Sequence, residues 1–264
     1  MIIADNLHVV FNAGTPLENP ALRGLTLDIP EGQWVTVIGS NGAGKSTFLN
    51  ALSGEISLSS GRIMIGSENV TRLPVWRRAG LVARVFQDPL GGTCERLTVE
   101  ENMALALRRG GLRGLRPALA RGERALLRER LSRLGLGLED RLGDRMGLLS
   151  GGQRQAVSLL MATMAPLRIL LLDEHTAALD PRTADLILRL TEDLVREQKL
   201  TTLMVTHSMK QALTHGDRTV MLHEGRVVLD IQGPERAGMT VEKLLAEFSR
   251  QRGEEIDDDK LLLG

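Results

Sequence analysis

Short apolar runs, broken by polar turns that carry glycine, set the pattern of the chain up to about residue 90. IIADNLHVVF at 2–11 and ALRGLTLDIP at 21–30 read as two strands joined by the polar loop around NAGTPLENP, and GRIMIGSENV at 61–70 reads as another. Between them QWVTVI at 33–38 is an apolar, β-rich run that stops at Gly39, and the residues after Lys45, STFLNALSG, have the spacing of a helix closed by Gly54. The pattern predicts an antiparallel β subdomain beside a strand, glycine loop and helix in immediate succession.

From 91 to 165 the pattern changes to Leu, Ala and Arg at helical spacing, with breaks at Gly110, Gly111, Gly114 and Gly135, which predicts an inserted helical lobe. Strand patterns resume at RILLLDE (168–174), TTLMVTH (201–207) and the hairpin-like TVMLHEGRVVLD (219–230), with a helix from Pro181 to about Lys199. Apolar strands separated by helices call for right-handed crossovers and a doubly wound parallel sheet, so the fold class is α/β. The divisions are a core of 1–90 and 166–239, a helical subdomain of 91–165, and a tail of 240–264. The tail reads as a packed amphipathic helix, VEKLLAEFSR, followed by a solvated acidic run, EEIDDD, and an apolar LLLG.

Composition narrows the function classes. Lys+Arg and Asp+Glu are 33 each, so no global positive field is available to hold a nucleic-acid backbone, and a DNA or RNA partner is not expected. Cys94 is the single cysteine, which excludes an internal disulfide, and no Cys or His spacing matches a zinc site; a reducing cytosol is the matching compartment. The segment MIIADNLHVVF lacks a basic and then long apolar leader, and no run approaches the ~18 apolar residues of a membrane span. Any membrane association is expected to come through a partner.

The candidate chemistry begins with GSNGAGKST at 39–47, which fits G-x-x-x-x-G-K-[ST] at every fixed position. Gly39, Gly42 and Gly44 let successive backbone N–H groups turn inward as an anion nest at a helix N-terminus, where the dipole favours phosphate. Lys45 reaches β- and γ-phosphates, and the Ser46 hydroxyl is a Mg²⁺ ligand. Asp173 ends the apolar run ILLLD, which predicts its carboxylate at the C-terminal edge of the sheet, where open α/β sheets bind ligands and where it holds the Mg²⁺ shell. Glu174, one residue on, points elsewhere and suits a general base for the attacking water.

Three further features gain meaning from their context. His207 closes the next strand pattern; a lone His there is more often structural, but its spacing after Glu174 favours a place near the γ-phosphate. Gln87, after the short apolar run in VFQDP, is open between a metal or water contact and an ordinary loop residue. LSGGQRQAVSLLMA at 149–162 places Ser150 like an N-cap before two glycines and an apolar-periodic helix, a start that offers a hydroxyl, amides and a positive dipole to a second phosphate. On its own that segment is an ordinary helix entry.

Taken in order, these residues resemble the nucleotide-binding subunit of an ATP-binding cassette (ABC) transporter over nearly the whole chain. The match runs through Walker A (39–47: Gly39, Ser40, Asn41, Gly42, Ala43, Gly44, Lys45, Ser46, Thr47), the Q-loop at Gln87, and the signature Ser150, Gly151, Gly152 and Gln153. It continues through Walker B ending at Asp173 with Glu174, the D-loop Asp180, and the switch His207. The resemblance implies a P-loop NTPase core with ATP and Mg²⁺, and a head-to-tail homodimer in which Walker A of one copy and the signature of the other enclose each ATP. It further implies an integral membrane permease as partner at the cytoplasmic face of the bacterial inner membrane. The segment from Gln87 to about Leu107 is expected to receive the permease's cytoplasmic helices.

The family usually stacks a Tyr on adenine; this chain has no Tyr, and Phe11 is the matching aromatic. His175 stands where many relatives have Pro, and either reports on the subunit interface or packs. The phrasing FNAGTPLENPALRGLTLDIPEGQ and LLDEHTAALDP resembles importer ATPases that work with a permease and an extracytoplasmic solute-binding protein, a group associated with aromatic amino acids. An exporter ATPase is the rival reading. A DNA-repair or chromosome clamp would need a long coiled coil between the two phosphate motifs, and a ribosome-binding regulator would need two cassettes in one chain; neither is present. The eight arginines of 108–130 read as a solvated helical face, against a headgroup or permease contact.

Overall fold

The computed structural model describes residues 1–111, 119 and 122–252. Gly114, part of the arginine-rich stretch, and the acidic and apolar end of the tail lie outside the described residues. In chain order the elements begin with strands β1 (Ile2–Phe11), β2 (Asn19–Ile29) and β3 (Trp34–Gly39), helix α1 (Lys45–Ser53), strands β4 (Ser60–Ile65) and β5 (Glu68–Asn69), helix α2 (Val75–Arg78) and strand β6 (Val82–Val85). Helices α3 (Val99–Leu107), α4 (Glu123–Ser132) and α5 (Gly151–Thr163) follow. The remainder is β7 (Ile169–Asp173), α6 (Pro181–Gln198), β8 (Thr201–Val205), α7 (Met209–Thr214), β9 (Arg218–His223), β10 (Arg226–Gln232), α8 (Gly233–Ala237) and α9 (Val241–Arg252).

The chain divides into two compact units, one from Met1–Val75 with the segment starting at Leu200, the other Trp76–Lys199. In the first, β2-β1-β4-β5 form an antiparallel sheet. The run 61–70, expected as one strand, is two: Gly66 takes φ 62° and reverses the chain between β4 and β5. A second sheet has the order β10-β9-β3-β8, with β3 parallel to both neighbours and β10 closing an antiparallel hairpin on β9. Its central strand WVTVIG is buried at all six positions, as a strand covered on both faces requires. The tail helix α9 packs Leu244 against Ile38, Ala212 and Met221.

In the second unit β6 and β7 pair in parallel, with Val82 opposite Ile169 and Val85 opposite Leu172. The helices share a core of their own around Met103, Leu127, Leu131, Leu138, Val157 and Ile187. Two of them open on capping boxes: Thr98 and Glu101 at α3, Ser150 and Gln153 at α5. Four of the five described arginines of the 108–130 stretch are engaged within the protein: Arg108 with Glu123, Arg124 with Glu100, Arg128 with Asp140, and Arg109 donating to the Ala162 carbonyl.

Candidate nucleotide site

In the first unit β3 delivers the chain into the glycine loop and α1 receives it. Gly39 has φ 152°, and a Cβ there would meet the Leu222 carbonyl oxygen at 2.3 Å. Gly44, at φ 99°, is the N-cap of α1, and a Cβ there would lie 2.7 Å from the Ala21 carbonyl oxygen. Both glycines are therefore required by neighbouring backbone as well as by the turn. Leu222 belongs to β9 and Ala21 to β2, and the turn between β9 and β10 backs the loop further: the Gly225 N–H donates to the Ala43 carbonyl at 3.0 Å, and the Arg23 N–H donates to the Gly225 carbonyl at 3.0 Å. Nothing in the local spacing of 39–47 announces this backing turn, although the hairpin that supplies it is visible in TVMLHEGRVVLD.

The Lys45 ammonium is buried and donates to the carbonyls of Gly39 at 2.7 Å and Ser40 at 3.0 Å, so its charge is held at the loop. Asn41, Gly42 and Ser46 are exposed, Ala43 is buried, and Thr47 is half-buried. Phe11, at the end of β1, is 39% exposed, with ring surface available for stacking. His207 lies two residues beyond β8, exposed, immediately before Ser208, the N-cap of α7.

The second unit holds the remaining candidates. Gln87 and Asp173 line one cavity of about 410 Å³ together with Phe86, Asp88, Gly91 and Ala178. The Asp173 carboxylate is ion-paired with Arg84 of β6 at 2.5 Å, and both side chains are largely buried. Arg84 was not singled out in the sequence. The signal for it was a charge inside the apolar run VARV, since a strand buried on that side must supply a partner for such a group. Glu174 follows in a left-handed conformation, φ 47°, which turns the chain at the end of β7.

Ser150 caps α5: its hydroxyl accepts from the Gln153 N–H at 3.3 Å, while the Gln153 side chain accepts from the Ser150 N–H at 3.2 Å. Ser150 and Gly151 are exposed, and Gly152 and Gln153 are half-buried, so the thirteen-residue helix presents its N-terminal end outward. Asp180 caps α6, accepting from the Thr183 N–H at 3.1 Å. Its hydrogen bonds with Thr183 hold its carboxyl below the ordinary carboxylate range. His175 is buried and bonded to Thr191 of α6, so its packing reading is the one the structure matches.

The donor set fits Mg²⁺. Among the described residues no cluster of three or more His, Cys, Asp or Glu is arranged for a metal, and Mg²⁺ requires none: it binds through one or two protein groups, waters and phosphate oxygens. The exposed Ser46 hydroxyl in the first unit and the Asp173 carboxylate in the second are, each taken by itself, oxygen groups of that kind.

Comparison with known proteins accounts for these features together. The ABC transporter family profile matches residues 22–177. The chain is 48% identical over 230 residues to the tyrosine transport ATP-binding protein of Clostridioides difficile (strain R20291), covering 87% of this chain and 91% of that protein. It is 37% identical to an aliphatic sulfonates import ATP-binding protein of Agrobacterium fabrum (strain C58 / ATCC 33970), over 81% of this chain and 70% of that one. Among solved structures, an ATP-binding cassette in a dimeric post-hydrolysis state bound to ADP and Pi superimposes with a TM-score of 0.75 at 30% identity, covering 88% of this chain and 98% of the other. An ABC transporter cassette in its ADP conformation, at 22% identity and TM-score 0.77, shares the fold over 97% of this chain and 99% of its own. The chain belongs to the ABC transporter family and is one of its ATP-hydrolysing cassettes.

Proposed function

We propose that this cassette powers uptake of a small solute, in the aromatic amino acid class, through a partner permease fed by an extracytoplasmic solute-binding protein. The relatives named for tyrosine transport and for import support the direction and the substrate class. Export is the reading they disfavour. Two copies close around two ATP molecules, closure moves the permease, and hydrolysis reopens the pair. The observation that carries this reading is the second phosphate-type helix start at Ser150, exposed on a chain that already has a complete phosphate loop.

Within each site Lys45 and the loop amides of 39–47 hold the phosphates, and Ser46, Gln87 and Asp173 are the residues that would hold Mg²⁺, which supplies charge neutralisation on the phosphate oxygens. Glu174 orients the attacking water and accepts its proton, His207 senses the γ-phosphate, and Phe11 stacks on adenine. Ser150, Gly151, Gly152 and Gln153 of the other copy close over the phosphates, with Asp180 beside them. A cavity of about 390 Å³, lined in part by Gly91, Cys94, Asn102 and Leu105 of the segment from Gln87 to Leu107, supports that segment as the permease contact. Among the described residues no helix is long and apolar enough to cross a membrane.

The test is purification from membranes. A multi-span permease that comes down with this chain, together with a binding lipoprotein, supports uptake. An exporter-type membrane protein in their place overturns it.

A further inference from the structure

His175 follows Glu174 at the turn that ends β7, and its ring is 2% exposed. Its Nε2 lies 3.1 Å from the hydroxyl oxygen of Thr191, a residue of α6 with no exposed surface. The Thr191 hydroxyl has one proton and donates it to the Ile187 carbonyl at 2.8 Å. Toward His175 it is therefore the acceptor, which assigns the Nε2–H tautomer and makes a continuous chain from the imidazole through the hydroxyl into the backbone of α6.

Two other observations give this chain its significance. The residue immediately before His175, Glu174, stands at φ 47°, a conformation that a side chain with a Cβ adopts only when the surroundings hold it. The same helix α6 also meets the start of α5: a Cβ on Gly152 would lie 2.2 Å from the Thr183 methyl group. One helix thus touches the residue after Glu174 at one point and the Ser150–Gln153 segment at another.

We propose that His175 is a positioning residue for hydrolysis: its bond to Thr191 fixes the left-handed turn at Glu174, and with it the direction of the Glu174 carboxylate, to helix α6. The inference rests on Glu174 acting as the general base. The restraint is a hydrogen bond to one specific partner rather than a feature of the backbone itself.

The experiment measures ATP hydrolysis and ATP binding by the full chain carrying Thr191→Val, Thr191→Ser, His175→Leu, His175→Gln and the His175→Leu/Thr191→Val pair, with Glu174→Gln as reference. Thr191→Val, nearly the same shape without the acceptor, lowers kcat about tenfold while KM and ATP affinity stay within about twofold. Thr191→Ser, which keeps the hydroxyl, restores kcat, as does His175→Gln, which keeps an N–H donor. The double variant is no slower than the slower single one, because both remove one bond. If Thr191→Val does not fold, His175→Gln against His175→Leu decides on the same criterion. Normal kcat in the variants that lack the bond, or losses that multiply in the pair, overturns the positioning role. Normal hydrolysis by Glu174→Gln would instead overturn the general-base reading on which it rests.

Discussion

The Gln155 side chain donates from Nε2 to the backbone carbonyl of Phe86 at 3.1 Å, tying the helix that begins at Ser150 to the residue just before Gln87. Gln155 has no exposed surface, and its Oε1 is buried without a partner. A buried amide satisfied on one side only is retained for the bond it makes, since the other side costs stability. The relationship joins, within the second unit, the helix start proposed to meet phosphate to the segment that carries Gln87.

Gln155→Met keeps the volume and removes both the bond and the orphaned oxygen. It should change stability by about 1 kcal/mol or less, because the lost bond and the relieved oxygen offset each other. Hydrolysis should fall by a larger factor than that predicts, with ATP affinity retained. Thermal denaturation alongside kcat and KM checks both parts; equal losses in stability and kcat would make Gln155 a packing residue only.

The glycine loop gives a graded prediction. Gly39→Ala drives a Cβ to 2.3 Å from the Leu222 carbonyl oxygen, whereas Gly42→Ala meets no atom within 4 Å and bears only the strain of φ 80°. Gly42→Ala should cost about 1 kcal/mol. Gly39→Ala should cost more and should abolish nucleotide binding, since backbone on both sides must move. Titration with a fluorescent ATP analogue and thermal denaturation separate the two.

Arg84 and Asp173 are a largely buried pair, so removing one partner strands the other charge. Arg84→Met should destabilise the chain by about 3 kcal/mol. Asp173→Asn should do less, because the amide still accepts a hydrogen bond, while losing Mg²⁺-dependent hydrolysis. Denaturant unfolding of both variants gives the comparison.

Much of this was legible in the sequence, for reasons visible in particular residues. WVTVIG and ILLLD are strands buried on both faces and therefore mostly apolar runs, broken only by Thr36 and the terminal Asp173, and Gly54 and Pro181 mark helix ends by their own stereochemistry. The phosphate loop is local, so one segment states it. Arg84 with Asp173, Gln155 with Phe86, and Gly225 with Ala43 each join residues far apart in the chain, and no spacing rule carries them. The split of β4 from β5 was missed because GRIMIGSENV has strand character on both sides of the turning Gly66.

Acid should weaken two helix starts in a defined direction. The Thr98 N–H and hydroxyl hold the Glu101 carboxyl below the ordinary carboxylate range, and the bonds with Thr183 do the same for Asp180. A carboxyl whose pKa is lower when folded stabilises the fold above its unfolded pKa, and that contribution is lost as pH falls through the folded value. Between neutral pH and about pH 4 these caps should be intact, and below that range stability should decline. Glu101→Gln and Asp180→Asn should flatten that acid limb, as read from melting temperature against pH.

In the proposed dimer, Lys45 and Ser150 serve the same ATP only across two chains. Lys45→Ala removes the phosphate lysine, and Ser150→Arg blocks the helix start facing the other copy. Each variant alone should be inactive, since every site in its dimer is defective. A mixture forms dimers with one intact site, so ATP hydrolysis should reappear at about a quarter of the normal rate for equal amounts of the two chains. Its rate should depend on the product of their concentrations. A mixture no more active than the sum of its separate components would contradict the shared site.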